Sequence, residues 1–296
     1  IGLEIDALMK EHETTLKNIA FYQDVLNNYD SMADVIIRDL DRIKKEYGRK
    51  RRTAIENAEE IVWEEKKVEE MELYFLMDRF GYAKTIDKAT YERNREAADS
   101  EFRYGFSCMN TDKICIFTDA GQMHTVKVLD IPFGKFRDKG TPIDNLSNYS
   151  SAKEQMIYVG SMEMVKNSQM LFVTRSGMVK RVEGSEFDVV KRTIASTKLA
   201  DGDALILAGP CDAPDSVVLQ SREGYFLKFA KEEVPVQKKA AMGVRGMKLS
   251  GQDSLEHAYL LEARMDYSIT YKEKTIVLNS KIRMGKRDTK GTKIRV

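Results

Sequence analysis

The 296-residue chain is poor in the side chains that build most reactive centres: three cysteines, three histidines and one tryptophan. Cys108, Cys115 and Cys211 are too few and too scattered for a disulfide framework or a zinc site, which fits a reducing cytoplasm. His12, His124 and His257 are equally isolated, so metal chemistry is not expected. Long apolar runs are missing as well. Stretches such as Met170–Thr174 and Ser216–Leu219 fall far short of the roughly 20 residues that a membrane helix needs, so no span is expected. The opening Ile1-Gly2-Leu3-Glu4 has neither the basic start nor the apolar stretch of a secretory signal and lacks an initiator Met, which suggests a fragment. No carboxylate or histidine constellation suits a hydrolase, and no cofactor is expected in this chain.

What is present is enough for a folded protein. A chain with 42% hydrophobic and 32% charged residues can bury at least one core, and two structural units are expected. The net charge of +1 hides an asymmetry. Residues 1–72 hold 12 Lys and Arg against 18 Asp and Glu, whereas the remainder holds 36 against 29. A polyanionic partner therefore meets the C-terminal part.

From Leu26, the residues Leu26, Tyr29, Ala33, Ile36, Leu40, Ile43 and Tyr47 recur at alternating steps of three and four, a heptad seam. Ile5, Met9, His12, Leu16, Ile19 and Tyr22 extend the stripe upstream, with a register shift between Ile19 and Leu26. Gly48 stands where a helix C-cap belongs, after Lys44 and Lys45. The spacing predicts one long coiled-coil helix over residues 1–47, paired with an upstream segment or a second chain. A linker over 48–70 follows, in which Trp63 packs against the next domain.

From about Leu73 the pattern changes to short β-branched and aromatic runs punctuated by glycine. Five segments share an apolar run, a polar turn and usually a glycine: Leu73–Gly81, Ile114–Gly121, Leu171–Gly177, Val217–Gly224 and Thr275–Arg283. Matching Asp78, Thr118, Thr174, Ser221 and Ser280 gives intervals of 40, 56, 47 and 59 residues. Each unit reads as a hairpin in which the polar side chain caps the turn and glycine takes positive φ. A second half recurs at Lys239–Leu249, with shorter echoes at Lys139–Ile143 and Lys290–Ile294. About 50 residues per unit predicts a mainly β, propeller-like domain of about five blades over residues 71–296.

Two stretches carry a family resemblance. Ile36–Gly48 followed by Arg51-Arg52-Thr53-Ala54-Ile55 resembles the junction where the coiled-coil arm of bacterial type IIA DNA topoisomerase A subunits, gyrase and topoisomerase IV, returns to the C-terminal domain. Leu171–Arg181 and Ala241–Leu249 resemble blade motifs of the same proteins. The resemblance implies a β-pinwheel, whose blades exchange strands and whose basic rim binds and bends duplex DNA. It also implies that the catalytic tyrosine belongs to an upstream breakage-reunion domain, that the ATPase B subunit is a partner, and that ATP and Mg act through other regions. A cytoplasmic, nucleoid-associated location follows. The gyrase motif QRRGGKG has no counterpart at Tyr91–Asp99, the stretch read as corresponding to it, which points to topoisomerase IV rather than to a DNA-wrapping gyrase.

Sequence-independent DNA bending needs cations along a rim at phosphate spacing. The candidates are Lys180, Arg181, Lys191, Arg192, Lys228, Lys238, Lys239, Arg245, Lys248, Lys286, Arg287, Lys290, Lys293 and Arg295. From Arg283 to Arg295, six basic residues face Asp288 alone. The bland alternative is a set of ordinary solvated side chains, and the rival from another class is a propeller that binds proteins. Gly243-x-x-Gly246 lacks the setting of a nucleotide fingerprint, and Asp201-Gly202-Asp203 reads as a turn rather than a calcium loop.

Overall fold

A computed structural model describes residues 2–53 and 69–294, in two units, Ile1–Lys66 and Lys67–Val296. Ala54, Ile55, Trp63 and Arg295 lie outside the described residues. No helix of the described residues is long and apolar enough to cross a membrane.

In the first unit the expected single helix is two: α1 (Gly2–Asn27) and α2 (Tyr29–Tyr47). Asn28 causes the break. Its backbone is extended (φ −120°, ψ 118°), and its side-chain oxygen accepts the Asp30 N–H at 3.1 Å, the bond of an N-cap. The Ser31 hydroxyl donates back across the joint to Asp24 at 2.6 Å. Gly48 ends α2 as expected, donating its N–H to Lys44. The seam stays exposed within this unit, and no residue of α2 is buried.

The second unit opens on a hairpin, β1 (Glu72–Asp78) and β2 (Tyr82–Asp87), followed by helices α3 (Lys88–Arg93) and α4 (Arg95–Glu101) and strand β3 (Phe102–Met109). Next come β4 (Lys113–Thr118), β5 (Gln122–Lys127), β6 (Thr141–Pro142) and β7 (Met156–Ser161). The same plan recurs in β8 (Gln169–Thr174), β9 (Met178–Glu183), β10 (Thr193–Ala195) and β11 (Leu205–Pro210). It recurs again in β12 (Ser216–Ser221), β13 (Tyr225–Ala230), β14 (Val244–Arg245) and β15 (Leu255–Leu261). The chain ends with β16 (Ser268–Tyr271), β17 (Lys274–Val277) and β18 (Thr292–Lys293).

These strands build four antiparallel blades, β3-β1-β2-β6, β7-β4-β5-β10, β11-β8-β9-β14 and β15-β12-β13-β18, and a two-stranded fifth, β16-β17. The last strand of each full blade arrives from beyond the next hairpin. Thr141 of β6 pairs with Ala83, Thr193 of β10 with His124, Val244 of β14 with Val179, and Thr292 of β18 with Phe226. Blades are thus knitted to their successors by strand exchange.

Four hairpins lie where the repeats place them; the fifth is displaced. Residues 275–277 form its second strand and run into a helical turn, Leu278–Lys281, while the reversal is at Lys272 and Glu273, both at positive φ (47° and 66°). The polar caps act as expected at three turns: Asp78 accepts from Phe80 and Tyr82, Thr174 from Met178, and Ser221 from Tyr225. Thr118 does not, since its buried hydroxyl has no partner among the described residues.

Central strands are buried on both faces, which explains why they read as unbroken apolar runs rather than as alternation. Ile114 and Ile116 pack with Phe75 and Met77 of the preceding blade, while Cys115 and Phe117 face Phe172 and Phe187 of the following one. Likewise Leu171 and Val173 join Val217 and Leu219, and Val218 and Phe226 join Ile276 and Leu278. The outer face of the first blade is covered by α3 and α4, through Tyr91 and Ala98 against Leu76 and Ile86. Tyr91–Asp99, the stretch read as corresponding to the gyrase motif, is therefore a helical cover of the first blade.

Exchange depends on one glycine per long connection. Gly243 sits at φ 97°, and a Cβ there would lie 2.7 Å from the Val179 carbonyl oxygen; Gly140 and Gly291 meet Ala83 and Phe226 in the same way. The left-handed conformation costs a side chain about 1–2 kcal/mol before the clash is counted. Gly243→Ala is expected to lower stability by about 2–3 kcal/mol. Hydrogen exchange should then show lost protection at Val244 and Arg245, while the hairpin β8–β9 keeps its own.

Candidate nucleic-acid interface

β3 packs against β7, β7 against β11 and β11 against β15, so these strands form the inside of the arrangement and β6, β10, β14 and β18 its outer edge. The connections that deliver β6, β14 and β18 are loops of one design, 133–140, 236–243 and 284–291. Each opens on a parallel bridge, Phe133 to Thr85, Val236 to Arg181 and Met284 to Lys228, and closes on the positive-φ glycine. β10 is reached more directly, the backbone carbonyl of its neighbour Arg192 accepting the Thr125 N–H at 2.8 Å.

Two of the long loops are wound around a buried lysine. Lys180, only 1% exposed, donates to the carbonyls of Lys239 (2.7 Å) and Ala241 (2.8 Å), with Lys238 at 3.5 Å. At the same position of the first blade, Lys84 donates to the backbone carbonyls of Asp138, at 2.7 Å, and Phe136. Burial pushes the Lys180 ammonium down to about 8 and lowers that of Lys84. Lys180 is thus an internal clamp, not a rim cation, because its protons are committed to the loop that it shapes.

A neutral Lys180→Met variant should lose about 2 kcal/mol at pH 7, since loop carbonyls are left without donors. The wild type also has a pH signature. Between about 8 and 10.5 the unfolded chain holds the proton and the folded one does not, so stability rises with pH through that window as the desolvation cost of the buried charge is relieved, and that cost is carried in full below pH 8. Denaturation of wild type and variant across pH 7–10.5 should show this increment in the wild type alone.

Two further candidates are withdrawn from the surface. Lys228 is buried and donates to the Asn279 side-chain oxygen at 3.0 Å. Arg181 is half-buried, with Nε on the Val234 carbonyl (2.7 Å) and a terminal nitrogen on Gln169 (3.1 Å). Lys239 and Arg287 are partly so, donating to the backbone carbonyls of Glu186 and Glu233.

The remaining candidates lie on the exchange loops and the segments beside them. Ion pairs stitch the loops together: Arg192 lies 3.9 Å from Asp130, Lys238 3.0 Å from Glu186, and Arg245 pairs with Asp288. Arg245 holds the Asp288 carboxyl below the usual carboxylate range. Lys248 continues the connection, its N–H donating to Thr289 of the next loop at 2.9 Å. Among the described residues, Lys191, Lys248, Lys286, Lys290 and Lys293 have no carboxylate within ion-pair reach, and all five are exposed. The Lys290 ammonium stands 4.5 Å and that of Lys293 5.3 Å from the centre of the Tyr225 ring.

The structure adds Lys135, Arg137 and Lys139, all exposed on the loop 133–140. Lys139 stands 4.3 Å from the centre of the Tyr82 ring, the counterpart of Lys290 over Tyr225. The sequence does carry a signal for it: Lys139-Gly140 and Lys290-Gly291 occupy the same place in their loops. Asp201–Asp203 is a turn, in which Asp203 accepts from Ser176 and Ala204. Among the described residues no group of His, Cys, Asp and Glu could hold a metal.

Blades that share strands around a common inside, with a cationic outer edge, define a β-pinwheel. Known proteins agree. The family model of the DNA gyrase C-terminal domain, a beta-propeller, matches residues 112–149, 168–212 and 215–262, each stretch running from a hairpin through its exchanged strand. The DNA gyrase A subunit of Lawsonia intracellularis is 28% identical over 278 residues, 90% of this chain and 34% of the relative. That of Chlamydia muridarum is 28% identical over 267 residues, 85% of this chain and 32% of the relative. The chain thus spans about a third of the length of the curated relatives it matches. Among solved structures, the C-terminal domain of DNA topoisomerase IV superposes with a TM-score of 0.67 at 21% identity, covering 77% of this chain and 73% of that one. The E. coli ParC C-terminal domain gives 0.60 at 15%, covering 76% and 94%. The resemblance to the C-terminal region of bacterial type IIA topoisomerase A subunits is therefore shown, and the second unit has the fold of a β-pinwheel.

Proposed function

We propose that the pinwheel is a non-catalytic DNA-binding and bending domain that presents duplex to a type IIA topoisomerase for ATP-dependent double-strand passage. The observation that carries this reading is the placement of exposed cations on exchange loops that touch one another along one outer edge. Such a strip follows a phosphate backbone without reading bases. Partners in this reading are the upstream breakage-reunion domain and the ATPase B subunit, with ATP and Mg acting there, in the cytoplasm at the nucleoid.

Fluorescence anisotropy with duplex DNA tests it: affinity should fall steeply between about 50 and 200 mM salt. Binding that is absent, or indifferent to salt, is incompatible with the proposal.

Within the family we favour the topoisomerase IV type. Gly134-Lys-Phe-Arg-Asp-Lys-Gly140 and Gly285-Lys-Arg-Asp-Thr-Lys-Gly291 share with QRRGGKG a cation in second place and a closing Lys-Gly, and Gln237-Lys-Lys-Ala-Ala-Met-Gly243 shares its opening Gln, the two cations that follow and the final Gly. None of the three has the adjacent glycines. The gyrase reading keeps support from the names of the curated relatives. Assembled with the upstream domain and the ATPase B subunit, the topoisomerase IV type relaxes and decatenates DNA, whereas introduction of negative supercoils would identify a gyrase.

A further inference from the structure

Each exchange loop carries a large apolar side chain that the fold does not use. Phe133 is 58% exposed, Val236 43% and Met284 58%, and in the short second connection Val190 is 97% exposed. Three of the four occupy one structural position, the parallel bridge at which a long loop leaves the blade. Apolar residues scattered singly over a surface need no explanation, but recurrence at one place does. Anchoring is not the reason, because each long loop has its own buried anchor two residues earlier: Ile131, Val234 and Ile282.

The setting says what covers them. Two residues after each comes an exposed lysine, Lys135, Lys238 and Lys286, and Lys191 follows Val190 directly. Two residues span at most about 7 Å, or about two nucleotides of duplex rise along one strand. A phosphate on the lysine therefore brings the neighbouring deoxyribose, the apolar part of the backbone, over the exposed side chain.

We propose that Phe133, Val236 and Met284, with Val190, form an apolar row of the DNA track that packs against deoxyribose faces between the phosphates held by the lysines. This rests on the reading of the rim as a DNA-binding surface. Because such contacts release no counterions, they add affinity that salt does not screen.

The test is a salt titration of duplex affinity with the full chain carrying Phe133→Ser and Met284→Ser. The plot of log affinity against log salt should shift down in parallel, by about tenfold at every salt concentration. Phe133→Leu with Met284→Leu should restore most of it, and the melting temperature should not move. As the contrast, Lys135→Gln with Lys286→Gln should flatten the slope by about 0.9 per lysine. A serine variant that superposes on the wild type, changes only the slope, or melts early overturns the apolar row. Wild type that does not bind duplex at all overturns the functional reading instead.

Discussion

Glutamine at Lys135, Lys139, Lys286 and Lys290 together is expected to lower duplex affinity by about a thousandfold near 0.1 M salt and to flatten its salt dependence by about 3.6. All four are exposed, on loops of equivalent design in the first and fourth blades. None has a carboxylate within ion-pair reach among the described residues, so their charge is open to phosphate rather than spent inside the protein. Lys139 and Lys290 are also held over Tyr82 and Tyr225, which limits what ordering them costs on binding. Folding should be untouched, since surface charge changes of this kind move stability little. Anisotropy over a salt series measures both quantities. An unchanged slope would place the DNA elsewhere.

The largest loss of stability should come from Phe172→Ala. Phe172 lies between two blades, its ring centre 5.9 Å from that of Phe117 and 5.8 Å from that of Phe187, and it is almost wholly buried. Truncation removes the transfer energy of a ring and leaves a cavity in a junction of aromatic rings that cannot collapse without moving both blades, a loss of about 3–5 kcal/mol. Because each blade is stabilised by its neighbours, the second and third blades should loosen together, and the melting temperature should fall by about 10 °C. Calorimetry of the variant checks this. A shift of only a degree or two would mean that the junction repacks.

Much of the fold is legible in the residues. Asp78, Thr174 and Ser221 mark real turns, and double-faced burial of strands such as β4 and β8 leaves an apolar run that cannot be mistaken. The fifth hairpin is the exception: Lys272 and Glu273 turn it without glycine, so the Thr275–Val277 run reads as a first strand although it is the second. Helices α3 and α4 leave no mark in the pattern, because a seven-residue helix offers too short a period to register. Asn28 is a readable N-cap, but the heptad on either side of it is the stronger signal and conceals the break.

The candidate site is legible only as a composition. Lys180, Lys228 and Arg181 look no different in sequence from Lys286 or Lys290, yet the first three are turned inward. Lys139 stands in a recognisable echo of the repeat, but Asp138 beside it masks the local charge excess that marks out residues 283–295.

The amino-acid order alone therefore specifies the elements governed by near neighbours: hairpins and their reversals, the helical seam and its end at Gly48, and the basic bias of the C-terminal part. Tertiary structure decides which strand completes which blade, because exchanged strands such as β6, β14 and β18 are two residues long and carry no periodicity. It decides equally which lysine is a clamp and which stays exposed. The carbonyl that captures Lys180 lies 59 residues further along, and only closure of that loop takes the ammonium out of water.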